Sequence, residues 1–304
     1  MTSLGTVFVL GAALSVQFGS AVAALLFPRA GAAGVVALRL VIAALVLLLV
    51  CRPRLRGYRR DDWLAVAGFG VAMAGMNGLF YQAIDRIPLG PAVTLEVLGP
   101  LALSVLTARR AAAWLWAALA LAGVLLLGYQ GFDRLNAAGA AFALGAGAMW
   151  AGYIVFSART GQRFPKADGL ALALAVAAVL TLPPGIADAG AALLDPVTIG
   201  LGAIVAVMSS VLPYTLELLA LRRIPTSTFA VLMSLGPAVA VLAGFAVLDQ
   251  HLRPLELLAV ALVITASAGA VRTPPPRSPR EAGRDRPGPC NVRLAVTTPE
   301  EVTR

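Results

Sequence analysis

The chain has few residues suited to metal, redox or hydrolytic chemistry. It contains one histidine, His251, and two cysteines, Cys51 and Cys290. One histidine leaves no His-based metal site and no Ser-His triad, and the two cysteines have neither a disulfide pattern nor metal-ligand spacing. No glycine-rich phosphate or dinucleotide loop is present. The sequence therefore predicts no cofactor, no metal site and no ATP-driven step by this chain alone.

Charge is equally scarce. Charged residues make up 13% of the chain, hydrophobic residues 59%, and the mean hydropathy is +0.85. A soluble domain carries about 25% charged residues, and about 20 apolar residues span a bilayer core. The ten apolar runs therefore predict an all-α integral membrane protein with ten transmembrane helices. The runs lie at Leu4–Leu26, Ala33–Val50, Trp63–Ala83, Gly90–Thr107, Ala112–Tyr129, Ala137–Ser157, Leu170–Ala187, Val197–Leu221, Thr226–Leu248 and Leu255–Val271.

The basic residues predict the orientation. No Lys or Arg precedes Arg29, and the first run is too long for a signal peptide, so we expect it to be a retained helix. With both termini in the cytoplasm, twelve Lys or Arg lie in the inner loops and four in the outer loops, as the positive-inside rule requires. We attribute the net charge of +9 to attraction to membrane lipids and expect no nucleic-acid partner, because no aromatic-basic platform is visible.

One stretch of the chain is repeated. Ala83–Pro100 and Ala220–Pro237 lie 137 positions apart and align without a gap. Each copy contains Arg-Ile-Pro, and a Gly-Pro pair follows whose proline is twelve residues after the first proline. Each copy predicts a turn followed by a helix that is broken in mid-span. Matched broken helices in two halves of a membrane protein indicate a transporter's binding site. Because each half has five helices, an odd number, we expect two inverted five-helix repeats, residues 1–134 and 135–272, followed by a disordered cytoplasmic tail, residues 273–304.

Small residues recur every four positions in two of the runs, at Gly70, Ala74 and Gly78 and again from Gly139 to Ala151. Such spacing lets helices approach closely. We interpret it as packing within one chain. A homodimer contact is the alternative, and it stays open.

Several local motifs carry a resemblance to a known family. They are Val36-Ala37-Leu38-Arg39-Leu40, Gly75-Met76-Asn77, Pro88-Leu89-Gly90, Leu95-Glu96, Leu144-Gly145-Ala146-Gly147-Ala148, Leu212-Pro213-Tyr214, Leu216-Glu217, Pro225-Thr226 and Leu232-Met233-Ser234. Over about Leu4 to Val271 the chain resembles the ten-helix EamA branch of the drug/metabolite transporters, within it the threonine/homoserine exporters of bacterial inner membranes. The resemblance implies efflux of small neutral amino acids. The chain departs from the family pattern at two places. Such exporters often have an acidic residue where this chain has Gly236, before Pro237, and they usually have a Gly-Glu pair where this chain has Asp249-Gln250-His251.

Ionisable residues within the apolar runs are the candidates for function, because a charge in the hydrocarbon core is expensive. Arg39 and Glu96 each lie about six residues in from the outer end of a helix, roughly 9 to 10 Å deep. Asn77 falls at a similar depth, with Gln17 not far off. We therefore expect a polar cluster in the outer half of the first repeat.

Two interpretations of Arg39 and Glu96 remain open. They could simply neutralise each other between helices, although a buried pair is a weak stabiliser. Alternatively, the Arg39 guanidinium orients the carboxylate of an amino acid and Glu96 takes its ammonium. Exchange of a proton for the substrate is a further candidate role for Glu96, and it makes the proton a candidate coupling ion.

A second group of candidates lies nearer the inner face. Tyr214 and Glu217 are three apart on one face of a Pro-broken helix, and we expect that face to form an inner gate. The alternative for Glu217 is an interfacial ion pair with Arg222 or Arg223. Trp150 and Tyr153, also three apart, are candidates to line the cavity, and packing alone is the competing interpretation.

The sequence therefore predicts a secondary transporter that exports threonine- or homoserine-like amino acids by alternating access. An exporter of another small metabolite or drug is the first alternative. A membrane-embedded enzyme would need a denser His, Asp or Cys cluster, and a receptor would need a folded signalling domain, for which the tail is too short.

Overall fold

Helices account for almost the whole of the described chain. The computed structural model describes residues 2–108, 111–129, 136–165, 167–221, 223–224 and 232–272, and within these ranges it contains no strand. The helices are α1 Thr2–Ala24, α2 Phe27–Cys51, α3 Arg60–Ile84, α4 Leu89–Glu96, α5 Leu98–Ala108, α6 Ala111–Tyr129, α7 Ala137–Arg163, α8 Asp168–Ala189, α9 Pro196–Ala206, α10 Leu212–Leu221, α11 Gly236–Leu248 and α12 Pro254–Arg272. A 3₁₀ turn, Gly190–Leu194, follows α8, and a π-helical turn, Val207–Val211, joins α9 to α10. The expected tail, residues 273–304, lies outside the described residues.

Five helices are long and apolar enough to cross a membrane: Leu4–Leu25, Phe27–Cys51, Arg60–Ile84, Ala137–Arg163 and Asp168–Leu194. Five shorter apolar segments accompany them, Leu89–Leu103, Trp114–Leu126, Pro196–Val211, Gly236–Leu248 and Pro254–Gly269. Large apolar side chains cover the outside of these helices; Val50 and Leu194, for example, are 77% and 79% exposed. Soluble monomers rarely expose such surface. The fold is that of a multi-pass membrane protein.

The second helix starts earlier than the apolar pattern predicts. It begins at Phe27 rather than Ala33, because Pro28 is tolerated in a first turn and a kink at Gly31 (φ 63°) then redirects the chain. Asp188 of α8 receives the Ala33 backbone N–H at 3.0 Å just after the kink. A side chain at Gly31 would collide with this carboxylate. Glycine therefore serves both the positive φ and the close approach of α8.

The helices pack in pairs. Helix α2 packs along α8, α3 along α7, and α6 along α12, while α1 contacts α10 and α11, and α11 also contacts α4. Small residues permit several of these contacts. A Cβ at Gly70 would lie 2.5 Å from Cβ of Val176 on α8, and one at Gly139 would lie 2.7 Å from Cγ2 of Ile87. Packing within the chain is therefore confirmed at these two glycines.

The start of α4 is tied to a distant part of the sequence. The first backbone N–H of α4, that of Leu89, donates to Gln250 Oε1 at 3.0 Å. The Gln250 N–H donates in turn to the Gly244 carbonyl at 3.1 Å, near the end of α11. The loop between α11 and α12 thereby satisfies one of the four free donors at the N-terminus of α4. This loop contains the Asp249-Gln250-His251 departure.

Candidate functional site

A cavity of about 440 Å³ lies among these helices. Its walls come from α1, α2, α3, the α4–α5 junction, α7, the π-helical turn and α10 to α12. Most of the lining surface is apolar, and polar and charged side chains are distributed over it. Five of the predicted site residues line it: Arg39, Asn77, Glu96, Tyr153 and Glu217. The side chain of the sixth, Tyr214, lies outside the described residues.

Turns lie at both predicted break positions, and both turns border the cavity. The first is a turn at Val97, between α4 and α5, and the second is a turn at Ser234 and Leu235, just before α11. Each break comes two residues before a Gly-Pro pair, so that the proline, Pro100 or Pro237, falls in the first turn of the new helix, where no N–H is needed.

The first break is held by a very close backbone crossing. A Cβ on Gly99 would overlap the backbone carbonyl of Gly147 on α7. A Cβ on Gly147 would in turn lie 2.5 Å from the Glu96 carbonyl oxygen. Only glycine at both positions lets the two helices meet here. The crossing fixes the backbone at Glu96, whose side chain lines the cavity.

The π-helical turn provides a backbone acceptor for the predicted cation. Pro213 has no N–H to donate to the carbonyl four residues earlier, which is that of Ser209. That carbonyl accepts a hydrogen bond from Nη2 of Arg39 at 2.9 Å. The preceding carbonyl, of Met208, accepts from Ser15 Oγ on α1 at 2.6 Å. The irregular turn is therefore satisfied by side chains of two other helices, as buried backbone groups must be.

The Arg39 guanidinium is anchored on three sides. Besides the Ser209 carbonyl, its Nε donates to Ser210 Oγ at 3.2 Å, and its Nη1 donates to the Tyr81 hydroxyl at 2.9 Å. The guanidinium carbon also lies 5.5 Å from the centre of the Tyr81 ring, within cation–π range. Three of the five guanidinium N–H groups are thus used. Within the described part of the chain, the other two have no protein acceptor.

The two carboxylates line the same cavity as Arg39. Glu96 is buried at the last position of α4, and Glu217 is partly buried on α10. Among the described side chains, neither carboxylate forms an ion pair with an arginine. Arg39 and Glu96 therefore form no salt bridge, and the hydrogen bonds of Arg39 are with Tyr81 and the π-helical turn. Arg222, one partner considered for Glu217, lies outside the described residues, and Arg223 instead donates to the Leu219 carbonyl at 2.9 Å.

The other predicted residues lie on neighbouring parts of the wall. Asn77 is buried and donates through Nδ2 to the Met73 carbonyl at 2.8 Å. Tyr153 packs its ring 5.1 Å from that of Phe69 and lines the cavity together with Trp150. This wall combines an amide with aromatic surface and faces the space that Arg39, Glu96 and Glu217 border.

Sequence reasoning missed the residues that hold Arg39. Tyr81 is fully buried in an apolar run, where a tyrosine is indistinguishable from ordinary core. Ser209 and Ser210 are small polar residues within a span, which is common in membrane helices. One signal was available: Pro213 frees the carbonyl of residue 209 in any continuous helix, and a buried arginine elsewhere is the donor to expect.

Known proteins resemble this chain over most of its length. The model of the EamA-like transporter family matches residues 137–272. The chain is 41% identical to the threonine/homoserine exporter RhtA of Escherichia coli K12, over 89% of this chain and 92% of that exporter. It is 41% identical to RhtA of Salmonella typhimurium LT2, over 85% and 88% of the two chains. It is 29% identical to the uncharacterized transporter YwfM of Bacillus subtilis 168, over 66% and 71%.

The fold is shared with a solved structure as well. One crystal structure superposes with a TM-score of 0.55 over 88% of this chain and 96% of the other, at 22% identity. At that identity the likeness concerns the fold alone, whereas the similarity to the RhtA exporters extends to the sequence of nearly the whole protein. The chain belongs to the EamA-like transporter family.

Proposed function

We propose that this protein is a secondary transporter of the bacterial inner membrane that exports threonine, homoserine and similar small neutral amino acids. One observation carries the proposal. In a chain 41% identical to threonine/homoserine exporters, a single cavity of about 440 Å³ is lined by one arginine and two glutamates. An amino-acid zwitterion presents one carboxylate and one ammonium, and such a wall offers a complement for each.

Arg39 is suited to the substrate carboxylate. Its anchors on Tyr81 and the π-helical turn hold the guanidinium in place, and two of its N–H groups remain for a ligand. A planar donor fork matches a carboxylate in geometry as well as in charge. Glu96 or Glu217 would take the ammonium, and the other carboxylate would then be free to exchange a proton. In this scheme, the glutamate that does not bind the substrate carries the coupled proton.

The architecture that we propose is ten spans in two inverted five-helix repeats, residues 1–134 and 135–272. Positions related by the sequence repeat line the cavity in both halves, at an offset of 134 for α1 and α7 and of 137 elsewhere. The related pairs are Val16 and Trp150, Ser20 and Ile154, Met76 and Pro213, Phe80 and Glu217, Glu96 and Met233, and Val97 and Ser234. Helix contacts recur in the same way, since α3 packs on α7 as α10 packs on α1. A cavity on the axis between two inverted halves is the usual site of alternating access.

Orientation and gating follow from this architecture. The excess of Lys and Arg in alternate loops supports cytoplasmic termini. The face of α10 with Tyr214 and Glu217 then belongs to the inner half of the membrane, where we propose the inner gate. Membrane lipids contact the exposed apolar surface, and the chain needs no cofactor in this scheme.

Efflux of radiolabelled threonine and homoserine from preloaded cells tests the function. Cells that produce the protein should export both compounds faster than cells without it. A Glu96→Gln variant at equal membrane abundance should export more slowly and, if Glu96 is the proton carrier, should lose the dependence on external pH. If the unaltered protein exports neither compound, the substrate assignment is wrong, and another small metabolite is then indicated by the apolar lining at Met76, Phe80 and Met233.

A further inference from the structure

Unsatisfied hydrogen-bonding atoms are concentrated at the cavity. Four buried side-chain atoms in the described part of the chain have no hydrogen-bond partner: Gln17 Oε1, Thr160 Oγ1, Ser209 Oγ and Ser267 Oγ. Three of the four belong to residues that line the cavity, and Thr160 is the exception. Because nearly all buried polar atoms in native proteins are paired, each such atom calls for an explanation. A bound molecule would supply the missing partners of those among the three that it can reach.

Ser209 differs from the other two in its surroundings. A Cβ on Gly19 would overlap Ser209 Oγ, so this hydroxyl is enclosed between the π-helical turn and α1. Ser209 already contributes its carbonyl to Arg39. We therefore assign it to the support of the turn, which leaves Gln17 and Ser267 as the unpaired groups available to a ligand.

Gln17 and Ser267 lie on different helices of the cavity wall. Gln17 is on α1, and its amide extends toward the second helix break, since a Cβ on Gly236 would lie 3.9 Å from Gln17 Nε2. Ser267 is on α12. Both side chains are more than nine-tenths buried, at 8% and 6% exposed. Neither carries charge, so they complement a neutral polar group better than they complement a carboxylate or an ammonium.

We propose that Gln17 and Ser267 recognise the side-chain hydroxyl of the substrate, which makes the cavity selective for hydroxy amino acids; this inference rests on the proposed export function. A hydroxyl donates one hydrogen bond and accepts two. It can donate to the amide oxygen of Gln17 and accept from the hydroxyl of Ser267. Threonine carries its hydroxyl on the β carbon and homoserine on the γ carbon. Two groups on separate helices, one of them a long amide, serve both positions.

The physical consequence is rejection of amino acids that lack the hydroxyl. Valine has the shape of threonine with a methyl group in place of the hydroxyl. A valine bound in the same pose would leave both protein groups unpaired, and sites built to bond a hydroxyl discriminate strongly against such analogues. One neutral hydrogen bond changes a binding constant by about three- to tenfold. With two such bonds, the unaltered protein should export threonine in preference to valine by about tenfold or more.

The test is the ratio of threonine to valine export in proteoliposomes, measured at equal protein content. The two variants are Gln17→Met, which keeps the length of the side chain, and Ser267→Ala. Each should lower the ratio by about three- to tenfold. Thr160→Val is the matched control, because it removes the one unpartnered buried hydroxyl that does not line the cavity. It should leave the ratio unchanged.

These variants should fold, because each removes an atom that has no partner to lose. The unfolding temperature in detergent should stay the same or rise, as expected when an unpaired buried polar group becomes apolar. An unchanged ratio in both variants would overturn the inference and assign the two groups to bound water. Equal losses of threonine and valine export would overturn it too, since they indicate a structural role. If the unaltered protein exports no hydroxy amino acid at all, the proposed function fails and the inference fails with it.

Discussion

Removal of a single oxygen atom at Tyr81 tests whether Arg39 holds the substrate. Tyr81→Phe deletes the acceptor that lies 2.9 Å from Arg39 Nη1 and keeps the ring. The ring stays packed against Phe27 and Phe80, at centroid distances of 5.9 and 6.1 Å, and still lies under the guanidinium. Tyr81 is fully buried and is not among the cavity-lining residues. At unchanged stability, we therefore expect an effect on transport to arise from Arg39 rather than from a direct contact between Tyr81 and the substrate.

The expected magnitude follows from the bond that is lost. A hydrogen bond to a charged group contributes about 1.5 to 3 kcal/mol, which corresponds to roughly 10- to 150-fold in an equilibrium constant. Tyr81 holds Arg39 without substrate as well, so only the part of this energy that positions the guanidinium for the carboxylate enters the affinity for substrate. Ser210 and the Ser209 carbonyl still hold the guanidinium, so the KM for threonine should rise severalfold, up to about tenfold, with a smaller change in the maximal rate.

The assay is the concentration dependence of threonine transport in proteoliposomes. Tyr58→Phe is the matched control, because it makes the same chemical change in a ring that packs 4.2 Å from Phe164 and outside the cavity lining. A KM equal to that of the unaltered protein in both variants would refute Arg39 as the substrate anchor held by Tyr81. If Tyr81→Phe destabilises the fold, its unfolding temperature in detergent will be lower. Its KM for threonine should then be compared with that of the unaltered protein at a lower temperature.

Two further predictions concern the scaffold. Gly99→Ala places a methyl group onto the Gly147 carbonyl. It should lower the free energy of unfolding by about 1 to 3 kcal/mol, and it should also reduce export. Gly78→Ala, where a Cβ meets nothing within 4 Å, should have an unfolding temperature no lower than that of the unaltered protein. Equal unfolding temperatures of Gly99→Ala and Gly78→Ala would refute the close crossing at Gly99. Asp195 caps α9, and hydrogen bonds from Thr198 hold its pKa below the ordinary value. The Asp195 carboxylate therefore adds to the free energy of unfolding above the ordinary aspartate pKa. This contribution is lost as the pH falls through the lowered pKa of the folded protein. Unfolding temperatures from about pH 5 to pH 3 should fall less for Asp195→Asn; equal slopes would contradict this.

The helix breaks could be predicted from the sequence because they depend on local chemistry. Gly-Pro pairs removed a backbone donor at related positions, and the structure places turns at Val97 and at Ser234–Leu235, related by the same offset of 137. The start of α2 could not be predicted as well. The apolar pattern marks where a helix is buried, whereas Pro28 and the Gly31 kink extend the helix beyond it.

The partners of Arg39 could not be predicted, because they depend on packing between distant segments. Ser210 is 171 positions away in the chain and Tyr81 is 42 away. The sequence indicated two opposite charges at similar depth, Arg39 and Glu96, and depth alone does not tell whether two side chains on different helices touch. The structure places both on one cavity and gives Arg39 neutral hydrogen-bond partners, so similar depth did not predict which groups Arg39 contacts.

Under the proposed function, binding of an asymmetric molecule would explain why the two halves share turns at related positions but differ in the side chains that line the cavity. Under the proposed inverted repeat, two related halves would face a ligand with identical groups if their side chains had stayed alike. An amino acid has one carboxylate, one ammonium and one side chain, so identical walls would match it poorly. The related positions differ accordingly: Glu96 corresponds to Met233, and Glu217 to Phe80. In the proposed mechanism both halves need their turns in order to move, whereas an asymmetric substrate requires the lining residues of the two halves to differ.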